Sequence, residues 1–240
     1  MSVRLYVDAA LQRDAEFDLP AAAARHVQVR RLQPADRLRL FNGRGGEWAA
    51  TVLHMGRGQV RVRVDAFDPV ERELGMAITV ALGMPANERM DLLVEKATEL
   101  GVHSIQPLQC ERSVLRLAGD RALRKRAHWQ GIAVAAAEQC GRNRVPEVAP
   151  VQTLDAFLAQ LPGPGMRLLL SPGEGVAALQ EVAAGAQALL TLSGPEGGLT
   201  GAEENAALAR GFVRARLGER LLRAETAPLA VLAWAGLKEP

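Results

Sequence analysis

A chain of 240 residues, 48% hydrophobic and 23% charged, is long enough for one large or two ordinary domains and has the make-up of a soluble globule. No stretch approaches the roughly 20 uncharged apolar residues of a membrane span, the N-terminus lacks a secretory pattern, and Cys110 and Cys140 are far apart without ligand spacing, so a cytoplasmic protein with no metal site and no disulfide framework is expected. The formal net charge of +2 is unevenly spread, since residues 1–70 hold 11 Arg and 8 acids against 18 basic and 19 acidic residues in the remainder, and arginine forks suit phosphate, which directs an RNA-contact hypothesis to the first part.

Residues 3–7 alternate as a strand, and Pro20 to Arg31 reads as a short helix. After Pro34 the pattern is β: Arg37 to Phe41, a glycine-rich hairpin connection at 42–46, Glu47 to Leu53, and then Gln59 to Val64, whose three valines share one face opposite Arg61 and Arg63. This predicts a compact antiparallel domain with a basic outer face. The charged stretch Asp68 to Gly75 separates two rhythms and is the expected domain boundary.

Beyond it strands and helices alternate. Strands are expected at 78–83, 104–108, 147–149, 167–170 and 189–192, and helices at 88–100, 120–140, 155–161, 176–183 and 202–210, followed by an apolar last helix at 229–237. Such alternation implies a mostly parallel sheet covered on both faces. Thr200 with Glu203 reads as a capping box, which starts a helix directly after Ser193-Gly194-Pro195-Glu196-Gly197-Gly198. The last helix is apolar almost all round and must be buried on more than one side, against its own sheet or a second subunit.

Ligands of open α/β sheets bind beyond the carboxyl ends of strands. Three loops qualify: Ser171-Pro172-Gly173-Glu174-Gly175 after Leu170, Ser193 to Leu199, and Leu217 to Thr226, with Gly218 in the last. Their glycines admit a close backbone approach, and Leu217, Leu221 and Leu222 can cover an apolar base. No Walker lysine motif is present and no GxGxxG follows a strand, which leaves a nucleoside-type cofactor without phosphates as the better fit.

Five ordered motifs then coincide: Met84 to Val102, Glu111-Arg112-Ser113, Trp129 to Pro146, Gly194 to Gly198 and Leu217 to Ala227. Together they resemble the uridine N3-methyltransferases of small-subunit (16S) ribosomal RNA, a family of the SPOUT superfamily. The resemblance implies a PUA-like β-barrel RNA-binding domain over residues 1–70. It further implies an α/β methyltransferase domain with a trefoil knot over 74–240, a homodimer, and S-adenosylmethionine held by Leu170, Ser171, Pro172, Ser193 to Gly198, Leu217, Gly218, Leu221, Leu222, Arg223 and Thr226.

Uracil N3 carries a proton and is a poor nucleophile until that proton leaves. Such a site needs a proton acceptor, cationic support for charge on the base carbonyls, or both. The candidates are Arg112, Glu138, Arg142, Arg223 and Glu225, with arginine support from Arg112 or Arg142 preferred and Glu225 or Glu196 as an acid-base or orienting group. Two alternatives share the fold: a SPOUT enzyme with another RNA target, and a catalytically silent RNA-binding or ribosome-assembly factor.

Overall fold

The structure is a computed structural model that describes residues 3–161, 163–172 and 175–238. Packing divides the chain into two units, Met1–Glu73 with Ala137–Val145, and Leu74–Ala136 with Pro146–Pro240.

In the first unit, β1 (Arg4–Tyr6), β2 (Glu16–Asp18), α1 (Ala21–Val29), β3 (Arg37–Phe41), β4 (Glu47–Gly56) and β5 (Gln59–Asp68) build a five-stranded sheet in the order β1-β3-β4-β5-β2. Val60, Val62 and Val64 are fully buried and share one core with Leu38, Leu40 and the α1 residues Ala23, Ala24 and Val27. Arg61 and Arg63 point to water, as the alternation of β5 requires. The sheet is not purely antiparallel, because β1 pairs with β3 in parallel. A parallel pair needs a long crossover, and the segment carrying β2 and α1 supplies it.

The second unit contains β6 (Ala77–Gly83), α2 (Asn87–Glu99), β7 (Ser104–Gln109), α3 (Gly119–Cys140, whose last turn belongs to the first unit), β8 (Glu147–Val148), β9 (Gln152–Thr153) and α4 (Leu154–Ala159). After these come β10 (Met166–Leu170), α5 (Leu179–Val182), β11 (Ala188–Ser193), α6 (Gly201–Ala209), β12 (Val213–Ala215) and α7 (Thr226–Gly236). The strands run β12-β10-β11-β6-β7-β8, with β9 pairing β7, and every pairing is parallel.

Ala81, Leu190 and Leu192 meet Phe157 of α4 and Ala207 of α6 in one core, while alternation turns Ile78, Val80 and Leu82 to the opposite face. Trp129 of α3 is fully buried and donates its indole N–H to Asp91 at 3.0 Å, which makes it a core residue. The last helix, α7, buries Val231, Leu232 and Ala235, whereas Trp234 is half-buried and Leu237 is 86% exposed.

The helix expected over 176–183 is confined to α5. Ala177 and Ala178 stay extended, because the Ala177 carbonyl accepts from Arg216 N–H and Leu179 N–H donates to the Arg216 carbonyl. Those backbone groups serve the sheet edge beside β12 and cannot also serve a helix.

Candidate functional site

β10 and β11 are neighbours in the sheet, and β12 flanks β10. The loops that follow all three therefore leave the same edge of the sheet, the edge where parallel folds bind ligands. Between them lies a cleft of about 560 Å³, lined by Leu170, Ser171, Pro172, the Ser193 to Leu199 loop, Leu221, Leu222 and Arg223. This lies within the roughly 300–1,000 Å³ of small-molecule sites. A smaller hollow beside it adds Leu217 and Gly218 to the same wall.

Close approach fixes two glycines here. A Cβ on Gly194 would stand 2.6 Å from Gly198 C and Leu199 N, so the loop can fold back on itself only without a side chain at that position. A Cβ on Gly83 would stand 2.6 Å from Pro195 N, so the end of β6 is the seat on which the loop rests. Ser193, at the floor of the cleft, is 4% exposed and its hydroxyl has no partner among the described residues. A buried hydroxyl without a partner is costly, and a ligand oxygen or nitrogen in the cleft would satisfy it. The apolar Leu wall, the backbone-lined loop and this single free hydroxyl suit an adenosine-type ligand with few charged contacts.

Charged side chains frame the cleft without filling it. Glu196 Oε1 accepts from Ala86 N–H at 2.8 Å and from Arg89 Nη1 at 3.3 Å, and Arg89 Nε lies 3.9 Å from Glu225 Oε1. Glu225 is buried and its second oxygen has no partner. Glu204 accepts from Ser171 Oγ at 3.3 Å and from Arg214 Nη2 at 2.7 Å. Arg112 donates to the Gly197 carbonyl at 3.0 Å, which ties its guanidinium to the glycine loop.

The capping box forms as its spacing predicts, and Glu203 also accepts from Glu111 N–H at 2.8 Å. One carboxylate thereby ties the segment before Arg112 to the helix after the loop. Burial pushes the Cys110 thiol up to about 12, which makes it a neutral core group and not a nucleophile.

Of the residues singled out from sequence, Leu170 to Pro172, Ser193 to Gly198, Leu221, Leu222 and Arg223 line the cleft, and Leu217 and Gly218 line the adjoining hollow. Thr226 lines neither and is exposed at the start of α7, while Gly173 and Glu174 lie outside the described residues.

Glu138 and Arg142 go elsewhere. Both belong to the first unit, where Glu138 accepts from Tyr6 N–H at 2.8 Å. Burial, the largest influence on it, holds its carboxyl above the usual value. Arg142 is buried and clasps both oxygens of Glu73, with Nε to Oε1 at 3.1 Å. Their polarity at a helix end suggests chemistry in sequence, yet the partners that occupy them lie far away in the chain. Arg89 is the reverse case. It sits on the polar face of an amphipathic helix and reads as a solvated charge, and only the fold brings it between Glu196 and Glu225.

Comparison with known proteins supplies the family. The profile of an RNA methyltransferase domain matches residues 72–236, and that of an RNA methyltransferase PUA domain matches residues 19–65. Ribosomal RNA small subunit methyltransferase E of Synechocystis is 34% identical, with 97% of this chain and 77% of that protein covered. The protein of the same name from Bacillus subtilis is 32% identical, with 90% and 88% covered. A crystal structure of ribosomal RNA small subunit methyltransferase E from Neisseria gonorrhoeae, bound to S-adenosyl methionine, superposes with a TM-score of 0.92 at 35% identity over 98% of this chain and 96% of that one.

Proposed function

Because this chain belongs to the ribosomal RNA small subunit methyltransferase E family, we propose that it transfers a methyl group from S-adenosylmethionine to N3 of a uridine in 16S ribosomal RNA. The observation that carries the reading is the cleft itself, with its glycine loop closed on Gly194, its Leu217, Leu221 and Leu222 wall, and the partnerless hydroxyl of Ser193 at its floor.

S-adenosylmethionine supplies a methyl already activated by its sulfonium. What remains for the protein is alignment, exclusion of water and control of charge on the base. Ser193 and the 193–199 backbone hold the ligand, and the leucine wall keeps water from it. Arg112 and Arg223 offer positive charge for the carbonyls of a uracil that loses its N3 proton. Among the carboxylates, Glu196 is held by Ala86 and Arg89, and Glu204 by Ser171 and Arg214, so both are orienting groups. Glu225 keeps one oxygen without a partner, and it is the carboxylate we assign to the proton or to its relay.

The same reading carries a trefoil-knotted backbone in the methyltransferase domain, a domain boundary between residues 70 and 74, and work in the cytoplasm, where ribosomes are assembled. It also carries a homodimer, supported by the apolar surface that α7 leaves uncovered at Trp234 and Leu237.

The test is methyl transfer from labelled S-adenosylmethionine to 16S ribosomal RNA, followed by mass mapping of the product. A single N3-methyluridine is the expected result. Label on a ribose hydroxyl or on another base would overturn the assignment, and failure to bind S-adenosylmethionine in calorimetry would favour the silent assembly factor.

A further inference from the structure

We propose that the C-terminal end of α1 together with the turn joining β4 to β5 forms the phosphate-binding face of the first unit, with Arg25, Arg30, Arg31 and Arg57 as its cations and the backbone of the substrate RNA as its ligand. The proposal rests on the reading of the chain as an RNA methyltransferase and goes further by naming the face.

The arginines of this unit fall into two groups. Among the described residues, Arg39, Arg61, Arg63 and Arg72 stand beside carboxylates, while Arg37 of β3 and Arg44 of the 42–46 turn do not. Arg61 lies 3.6 Å from Glu16, Arg63 3.1 Å from Asp65, Arg72 3.6 Å from Glu47, and Arg39 is placed between Glu47 at 3.7 Å and Asp68 at 3.8 Å. The basic outer face read from Arg61 and Arg63 is therefore already spent on carboxylates. By contrast Arg25, Arg31 and Arg57 are exposed and have no carboxylate partner among the described residues, and the Arg30 guanidinium meets only the ring of His26 at 3.4 Å.

These four belong to one locality. Gln28 of α1 donates to the Gly56 carbonyl at 3.0 Å, which fastens the helix end to the turn that carries Arg57. Arg25 is one helical turn before Gln28, and Arg30 and Arg31 follow it directly. The acids bordering this face are occupied: Asp36 accepts from Gln33 N–H at 2.7 Å, Asp18 from Gln59 at 2.9 Å, and Glu138 from Tyr6 N–H. None of these acids stands within 4 Å of the four arginines, which form a group of cations without an ion-pair partner among the described residues, the form in which a protein meets phosphates.

An independent observation comes from the backbone. Arg31 directly follows the C-cap residue of α1 and has φ +58, in the left-handed region. Glycine is the residue that this position favours, and a side chain there costs stability. A helix stop that is easily made with glycine is made here with an arginine whose side chain is exposed and unpaired. Local propensity conflicts with the choice of residue, as is expected where function sets that choice.

The experiment measures binding of full-length wild type and variants to a 16S ribosomal RNA transcript across a salt series, with S-adenosylmethionine binding and thermal unfolding read on the same samples. Arg25→Ala with Arg57→Ala is expected to weaken RNA binding about tenfold or more and to lower the slope of log affinity against log salt by about 2, with cofactor binding unchanged. Arg31→Gly is expected to weaken RNA binding several-fold while Tm stays level or rises by about 2 °C. Arg61→Ala, which removes a paired cation, is expected to change affinity less than about twofold.

Full RNA affinity in the Arg25/Arg57 double variant, or a larger loss in Arg61→Ala than in that variant, would overturn the proposal while leaving the enzyme reading intact. A wild type that binds the cofactor but no RNA would instead sink the reading on which both rest.

Discussion

The cofactor cleft of the second unit and the ion-pair network of the first are both polar regions, built from opposite materials. Around Gly194 and Gly83 the chain has removed side chains so that backbone can approach backbone, and the charged groups Arg89, Glu196 and Glu204 stand at the rim, holding loops in place. In the first unit long side chains run inward. Arg4 pairs with Glu47 and donates to the Arg142 carbonyl at 3.0 Å and to Asn143 at 2.7 Å, and Arg142 pairs with Glu73. The difference lies in what each region cannot tolerate. The cleft cannot accept added atoms, and the network cannot lose charge.

The sharpest way to break this comparison is Gly194→Ala. One methyl group should cost the cleft about a thousandfold in S-adenosylmethionine affinity, about 4 kcal/mol, because the atoms it meets are backbone that has nowhere to give. Calorimetry on a variant of unchanged circular dichroism checks it. Next in size is Arg142→Ala, expected to cost about 3 kcal/mol of folding stability by leaving Glu73 without its partner. Unfolding in denaturant would show it, with cofactor affinity in the folded variant unaltered, and loss of catalysis at full stability would instead restore Arg142 to the chemistry. Glu203→Ala, which leaves the Thr200 cap but removes the carboxylate half of the capping box and the acceptor of Glu111 N–H, should cost about 1–2 kcal/mol and register as a lowered denaturation midpoint at constant m value.

The smallest effect concerns Glu138, whose carboxyl burial holds above its usual 4.5. A carboxyl raised in this way favours the folded state when protonated. Its contribution is therefore fully present below the ordinary value and fades as pH climbs through the raised one. Glu138→Gln, neutral throughout, should gain in Tm relative to wild type as pH goes from about 4 to about 8. A difference that stays flat with pH would mean that Tyr6 and His26 offset the burial.

The legible parts of this molecule were those fixed by neighbours in sequence. Val60, Val62 and Val64 alternate, Thr200 and Glu203 are three residues apart, and Met90, Leu93, Val94 and Ala97 recur at helical spacing, so each pattern announces its element. The glycine loop was equally plain, since its sequence and its place after an apolar run are local facts. Among the strands of two or three residues, β1 and β8 fall inside expected strands, whereas β2, β9 and β12 were not legible, because so short a run shows little period of its own and is a strand only through a distant partner. The side chains around the cleft split along the same line. Arg89 acquires meaning from Glu196, 107 residues away, and Arg142 from Glu73, 69 residues away, and neither spacing has any signature in one sequence.

The strand order has a consequence in time. β6 lies between β7, which is made shortly after it, and β11, whose Thr191 comes 112 residues later than the Thr79 carbonyl to which its hydroxyl donates. At about 5–20 residues per second a ribosome takes roughly 5–20 s to deliver that partner. Throughout that interval one edge of an apolar, fully parallel strand stays open, and parallel pairing across so long a loop is slow. The cofactor can offer no help during that wait, since the loops that would hold it follow β10, β11 and β12, so the early half of the sheet must be kept from aggregation by something other than the ligand.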